Sequence, residues 1–141
     1  MMKSMKIICD TNVILDVLLD REPFAEASGA VLGLCEEGRV IGFIPATCMT
    51  DVFYFTRKFT GSAEDAYRAL GHLLSIFKIA DVTHNDVFAA YQRRAKDFED
   101  CIVAMCALAL GCGCIVTRNV KDYKGFGVPA LAPADFIKQF L

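Results

Sequence analysis

The chain has 141 residues, 55% of them hydrophobic and 23% charged, with a formal net charge of -2. That length suits one compact domain with its own core, expected to span residues 1–141, and the apolar share excludes an intrinsically disordered chain. The near-balanced charge gives no broadly basic surface, so a polyanionic partner would have to be met by a local group of cations.

The start, MMKSMK, is basic, but the apolar "IIC" that follows is interrupted by Asp10 and Asn12. No export-signal core forms there. Lys6 to Cys9 reads as a buried strand ending in the polar turn Asp10-Thr11-Asn12, and Asn12 to Leu19 as a short helix. Pro23 stands at the next helix start, with Phe24, Ala27, Val31, Leu32 and Leu34 running to a stop at Gly38. A second strand is expected over Val40 to Ile44 and a helix over Thr47 to Phe59. Ser62 then caps a helix to about Phe77, with Glu64 and Asp65 in its first turn.

"KIADV" is a short strand candidate, and Asn85 or Thr83 opens a helix to about Lys96. Asp97 to Leu110 reads as a further helix, Cys114 to Thr117 as a buried strand, and Pro133 to Leu141 as a last helix. Strands alternating with helices predict a mostly parallel sheet covered on both faces, a three-layer α/β/α sandwich. The longest apolar run, "CIVAMCALALGCGCIV", is broken by glycines and falls short of the roughly 20 residues a membrane helix needs. A cytoplasmic protein with no membrane partner is expected.

Seven cysteines without an export signal point to a reducing compartment and buried free thiols. A zinc site from Cys101, Cys106, Cys112 and Cys114 lacks the paired C-x₂₋₄-C spacing such sites use.

Ligands of a parallel sheet gather at the carboxyl ends of its strands. Asp10 closes the first strand, and "TRNVKDY" follows the last clear one, bringing Asn119 and Asp122 to an equivalent edge. Taken alone, that second stretch is also an ordinary polar turn. Asp51 lies between Met49 and "VFYF", where an isolated carboxylate is costly unless it is paired, binds a cation or belongs to an exposed stripe with Thr47 and Lys58. Asp97 and Asp100 are spaced as an N-cap and N3 pair. A carboxylate at that helix start also stays ionised and suits a hard cation such as Mg²⁺.

Taken together, "DTNVILDVLLDREPF", Asp51, "DFEDCIVAMCAL" and "TRNVKDY" resemble the ordered motif set of PIN-domain nucleases, particularly the VapC-like bacterial toxins. The resemblance covers nearly the whole chain. It implies a PIN-like fold, an acidic cup holding Mg²⁺ or Mn²⁺, hydrolysis of phosphodiester bonds in single-stranded RNA, a homodimer, and control by an antitoxin protein. Matched residue by residue, Asp10, Asp51 and Asp100 stand for the first three acids and the Asn119/Asp122 pair for the last. Asp122 is taken as the fourth catalytic and metal-binding acid. Thr11, Asn12, Thr117, Arg118 and Asn119 are expected to contact substrate or support the acids, and Asp16 and Asp97 to play structural parts. Many members carry aspartate where Asn119 stands, which leaves one metal or two open.

Substrate phosphates would be met by cations near the acids in sequence: Arg57, Lys58, Arg93, Arg94, Lys96, Arg118, Lys121 and Lys124. Phe53, Tyr54 and Phe55 cannot all face one core, which predicts a two-fold dimer through their helix or the next. Two other readings stand beside the ribonuclease. One is a module of the same fold that binds RNA or protein without cutting. The other is a phosphotransferase of the haloacid-dehalogenase kind, which would want a second aspartate where Asn12 stands.

Overall fold

The computed structural model describes residues 5–140. Leu141 and the first four residues of the basic start lie outside them. Five strands, β1 (Met5–Cys9), β2 (Val40–Pro45), β3 (Lys78–Ala80), β4 (Cys114–Val116) and β5 (Ala130–Leu131), form one sheet in the order β3-β2-β1-β4-β5. Every pairing is parallel, with Ile8 opposite both Phe43 and Ile115.

The chain steps from β1 outward to β2 and β3 through α1 (Thr11–Leu18), α2 (Ala25–Glu36), α3 (Ala46–Thr60) and α4 (Ala63–Ile76). It then crosses back to β4 through α5 (His84–Arg93) and α6 (Phe98–Leu110), and α7 (Pro133–Phe140) follows β5. Parallel crossovers are right-handed, so reversing direction puts the two helix groups on opposite faces. Packing agrees: α2 and α3 lie on β2, whereas α6 lies on β1 and β4. The reversal falls between β1 and β4, where an open parallel sheet leaves a crevice at its carboxyl edge.

The core is the strand residues Ile7, Ile8, Cys9, Ile44, Ile115 and Val116 with Val13, Ile14, Val31, Leu73 and Val103 from the helices, all fully or almost fully buried. All seven cysteines are free and buried within it. At Gly42 the helices come so close that a Cβ would lie 2.6 Å from Cys35 Sγ and 2.7 Å from Phe77 Cδ1.

Helix starts follow the expected caps. Ser62 Oγ accepts from Asp65 N, and Thr83, rather than Asn85, closes a reciprocal box with Asp86. That helix stops earlier than its pattern predicts, at Arg93, because Arg94 turns left-handed at φ 53°. The helix after Pro23 begins only at Ala25. Two elements carry no periodicity and were not foreseen: the two-residue strand β5 and a 3₁₀ turn over Val120–Tyr123. Among the described residues no helix is long and apolar enough to cross a membrane.

Candidate active site

Asp10 is the first residue after β1 and, at 6% exposure, is held in the crevice between β1 and β4. Its backbone N–H donates to Val116 O at 3.0 Å, tying the two strand ends together. One carboxylate oxygen caps α1 by accepting from Thr11 N at 2.8 Å. The other accepts from Thr117 Oγ1 at 2.9 Å, from Tyr123 Oη at 3.1 Å and from Asn12 Nδ2 at 3.4 Å. Thr117, the residue after β4, is itself fully buried.

Asp100 approaches from the start of α6. Asp97 caps that helix by accepting from Asp100 N at 3.0 Å, so the capping half of the spacing is realised. The Asp100 carboxylate goes elsewhere, with Oδ1 3.2 Å from the Tyr123 hydroxyl. Burial, then the charges of Asp10 and Asp97, push Asp100 up to about 6, against a lowering by its Tyr123 hydrogen bond. The charge of Asp122 adds to the rise.

Asp51, half-buried in the second turn of α3, comes close to Glu99 of α6. Glu99 is exposed at its outer edge, yet partial burial, the charges of Asp51, Asp10 and Asp97, and a hydrogen bond shared with Asp51 raise it above the ordinary carboxylate range. Beneath them, burial pushes the Cys48 thiol up to about 12, with a smaller opposing hydrogen bond from Thr11 and further rises from Asp10, Glu99 and Asp51. The fold therefore gathers Asp10, Asp51, Glu99 and Asp100. None of the four is in an ion pair among the described residues.

Two residues of the crevice stand outside the expected set, Glu99 and Tyr123. Glu99 sits one helical position from Asp100 and shares its helix start. In the sequence Tyr123 is the tail of a polar turn. The 3₁₀ turn makes it the inward residue, 2% exposed, while its neighbour Asp122 faces solvent.

The remaining expected residues divide. Asn12 supports the site twice, through Asp10 and by accepting from Arg118 N at 3.2 Å. The Arg118 guanidinium is committed: Nε and Nη2 donate to the fully buried Asp16 at 2.8 and 3.0 Å, and the group lies 4.0 Å over the Phe24 ring. Ser28 Oγ donates to the same carboxylate at 3.3 Å. Asn119 is exposed; its N–H donates to Thr117 Oγ1 at 2.9 Å, and it lines a separate groove of about 400 Å³ with Phe24 and Pro133. Asp122 lines a cavity of about 520 Å³ with Asp97, Lys96, Lys121, Lys124 and Phe126. Of the other cations, Arg93 donates to Gly125 O and Arg94 lies over Tyr91, while Arg57 and Lys58 line a hollow with Tyr54.

The donor set fits a hard divalent cation in its chemistry: four carboxylates with no ion-pair partner among the described residues, two of them, Glu99 and Asp100, raised by burial and then by the charges of neighbouring aspartates. Among the described residues no three acidic, histidine or cysteine side chains converge at ligand spacing. A cation here would complete its coordination with water, as Mg²⁺ does.

A chain of the DNA-bound VapBC complex of Salmonella typhimurium is 17% identical and superposes with a TM-score of 0.70 over 92% of this chain and 98% of that one. VapBC2 of Rickettsia felis, bound to a DNA fragment from its promoter, is 18% identical, with a TM-score of 0.69 over 91% and 98%. The VapC20 toxin of Mycobacterium tuberculosis, which cleaves the sarcin-ricin loop, is 13% identical, with a TM-score of 0.62 over 77% and 86%. At such identities the likeness is one of fold. No curated protein matches the sequence. The PIN domain family model matches residues 6–121, from β1 into the start of the 3₁₀ turn, and so takes in Asp10, Asp51, Glu99 and Asp100 but not Asp122 or Tyr123; the chain belongs to the PIN-domain family.

Proposed function

We propose that this protein is a Mg²⁺- or Mn²⁺-dependent endoribonuclease that hydrolyses phosphodiester bonds in single-stranded or structured RNA, and that it is the toxin of a toxin–antitoxin pair acting in the cytoplasm. The observation that carries the reading is the gathering of Asp10, Asp51, Glu99 and Asp100 at the sheet's switch point with no ion-pair partner among the described residues. Membership of the PIN family replaces the haloacid-dehalogenase alternative. A toxin role draws support from the structural relatives, two of them VapBC complexes and one a sarcin-ricin loop cleaving toxin.

Asp10 and Asp100 would hold the cation most directly, with Asp51 reaching it from α3, Glu99 from beside Asp100 at the start of α6, and Asp122 contributing charge from the rim. The chemistry supplied by such a cation is a lowered pKa for a water, polarisation of the scissile phosphate and neutralisation of charge in an in-line displacement. The protein's own part is to hold the Asp10 carboxylate in place, through hydrogen bonds from Thr11 N–H, Thr117 and Asn12. Lys96, Lys121 and Lys124, in one cavity with Asp97 and Asp122, offer substrate phosphates a landing place at the rim. Arg118, locked on Asp16, does not reach substrate and instead braces the loop that carries Thr117.

The exposed aromatic and aliphatic side chains Tyr54, Phe55 and Phe59 of α3 and Tyr67 and Leu74 of α4 support a homodimer through this hairpin. An antitoxin peptide would cover remaining apolar surface.

The test is degradation of a mixed RNA pool with Mg²⁺ or Mn²⁺ and with chelator, alongside Asp10→Asn. Cation-dependent cleavage by the wild type, lost in the variant, is expected. A cation should also raise thermal stability by mass action, by about 2.7 kcal/mol at one hundred times its dissociation constant. The same RNA bound but left uncut with either cation would favour the non-catalytic module.

A further inference from the structure

Among the described residues, Tyr123 is the one buried side chain that hydrogen-bonds both Asp10 and Asp100. Its hydroxyl oxygen lies 3.1 Å from Asp10 Oδ2 and 3.2 Å from Asp100 Oδ1, so the two carboxylates stand within two hydrogen-bond lengths of each other. A hydroxyl carries a single proton, while an ionised carboxylate only accepts. One O–H therefore serves two acceptors that repel one another. A phenol, with an ordinary pKa of about 10, is protonated near neutral pH and donates to a carboxylate. The ring is packed away at 2% exposure, and the 3₁₀ turn that carries it is braced on α6 and β5, so the hydroxyl is delivered from a rigid base.

We propose that the Tyr123 hydroxyl is a positioning group that holds Asp10 and Asp100 together while no cation is bound and hands that task to the cation when one arrives. The proposal rests on the metal-dependent reading of the site. It gives the hydroxyl and the cation the same task, offsetting the repulsion of two neighbouring carboxylates, and so couples their contributions to stability. A hydroxyl that merely completes the packing would contribute equally with and without metal.

The experiment is thermal unfolding of the wild type and Tyr123→Phe, which keeps the ring and removes only the hydroxyl, each in chelator and in saturating Mn²⁺. In chelator the variant should melt lower by roughly 5 °C, as expected for loss of a hydrogen bond to charged groups. In Mn²⁺ the gap should close by half or more, so that the variant gains more from the cation than the wild type does. An equal gap in both conditions, or no gap in chelator, overturns the proposal and leaves the metal site standing. No response of the wild type to Mn²⁺ overturns the metal reading and this proposal together. Asp100→Asn with and without Tyr123→Phe gives a second measurement in chelator: removing the hydroxyl should cost less where the carboxylate pair is already broken, and an undiminished cost overturns the bridge.

Discussion

Asp100 shows how a single side chain can serve a site at the expense of the fold. Burial and its acidic neighbours raise it from 3.8 to about 6, so the folded protein binds a proton more readily than the unfolded chain. Stability from this group is therefore fully present below about pH 3.8 and is lost as pH rises through about 6. Metal-free Asp100→Asn should melt above the wild type at pH 7, and the gap should narrow towards pH 4, as melts across that range would read. A gap that widens on acidification contradicts the crowding. At Arg118 the balance runs the other way, because its partner Asp16 is wholly buried and receives two of its N–H groups. Arg118→Ala would strand that carboxylate and should cost about 3–5 kcal/mol in chemical denaturation. A cost under about 1 kcal/mol would mean that Ser28 and water suffice.

Among elements, the β1 and β4 ends and the start of α6 decide where chemistry can happen. Each does so through backbone as well as side chain: Asp10 N–H on Val116 O, Thr117 N–H on Leu131 O, Asp100 N–H on Asp97. The two-residue β5 thus does more than its length suggests, since it anchors the strand end that presents Thr117 to Asp10. On the other side of the sheet, Gly42 lets β2 pass under Cys35 and Phe77. Gly42→Ala would press a methyl into that contact and should destabilise by about 1–3 kcal/mol, measured in urea. Neutral behaviour would show that Phe77 moves aside freely.

At the level of the whole molecule, the acidic crevice and the apolar α3–α4 hairpin are separate features with separate consequences. Five large apolar side chains of that hairpin stand between 40% and 66% exposed, more than a monomer surface usually concentrates in one place. Sedimentation at micromolar concentration should give a dimer, and Tyr67→Ser with Phe59→Ser should shift it towards monomer. A wild-type monomer at high micromolar concentration sinks the dimer.

Sequence alone determined the parallel α/β layering, because apolar strands ending in polar turns and alternating with capped helices leave few other solutions. It also marked Asp10 and Asp51, since acids beside apolar runs are costly without a task, and Asp100, an acid at a helix start. Both kinds of signal are local: a period, a cap, an acid in the wrong company. What only the tertiary structure decided was which residues meet. Tyr123 and Glu99 joined the crevice, Asp122 stayed at its rim, and Arg118, which reads as a substrate cation, turned to Asp16. The physical reason is that a 3₁₀ turn and a two-residue strand carry no periodicity of their own. The conformation of the turn, and with it the choice between Asp122 and Tyr123 as the inward residue, is set by packing against α6 and β5, which no pattern within the turn encodes.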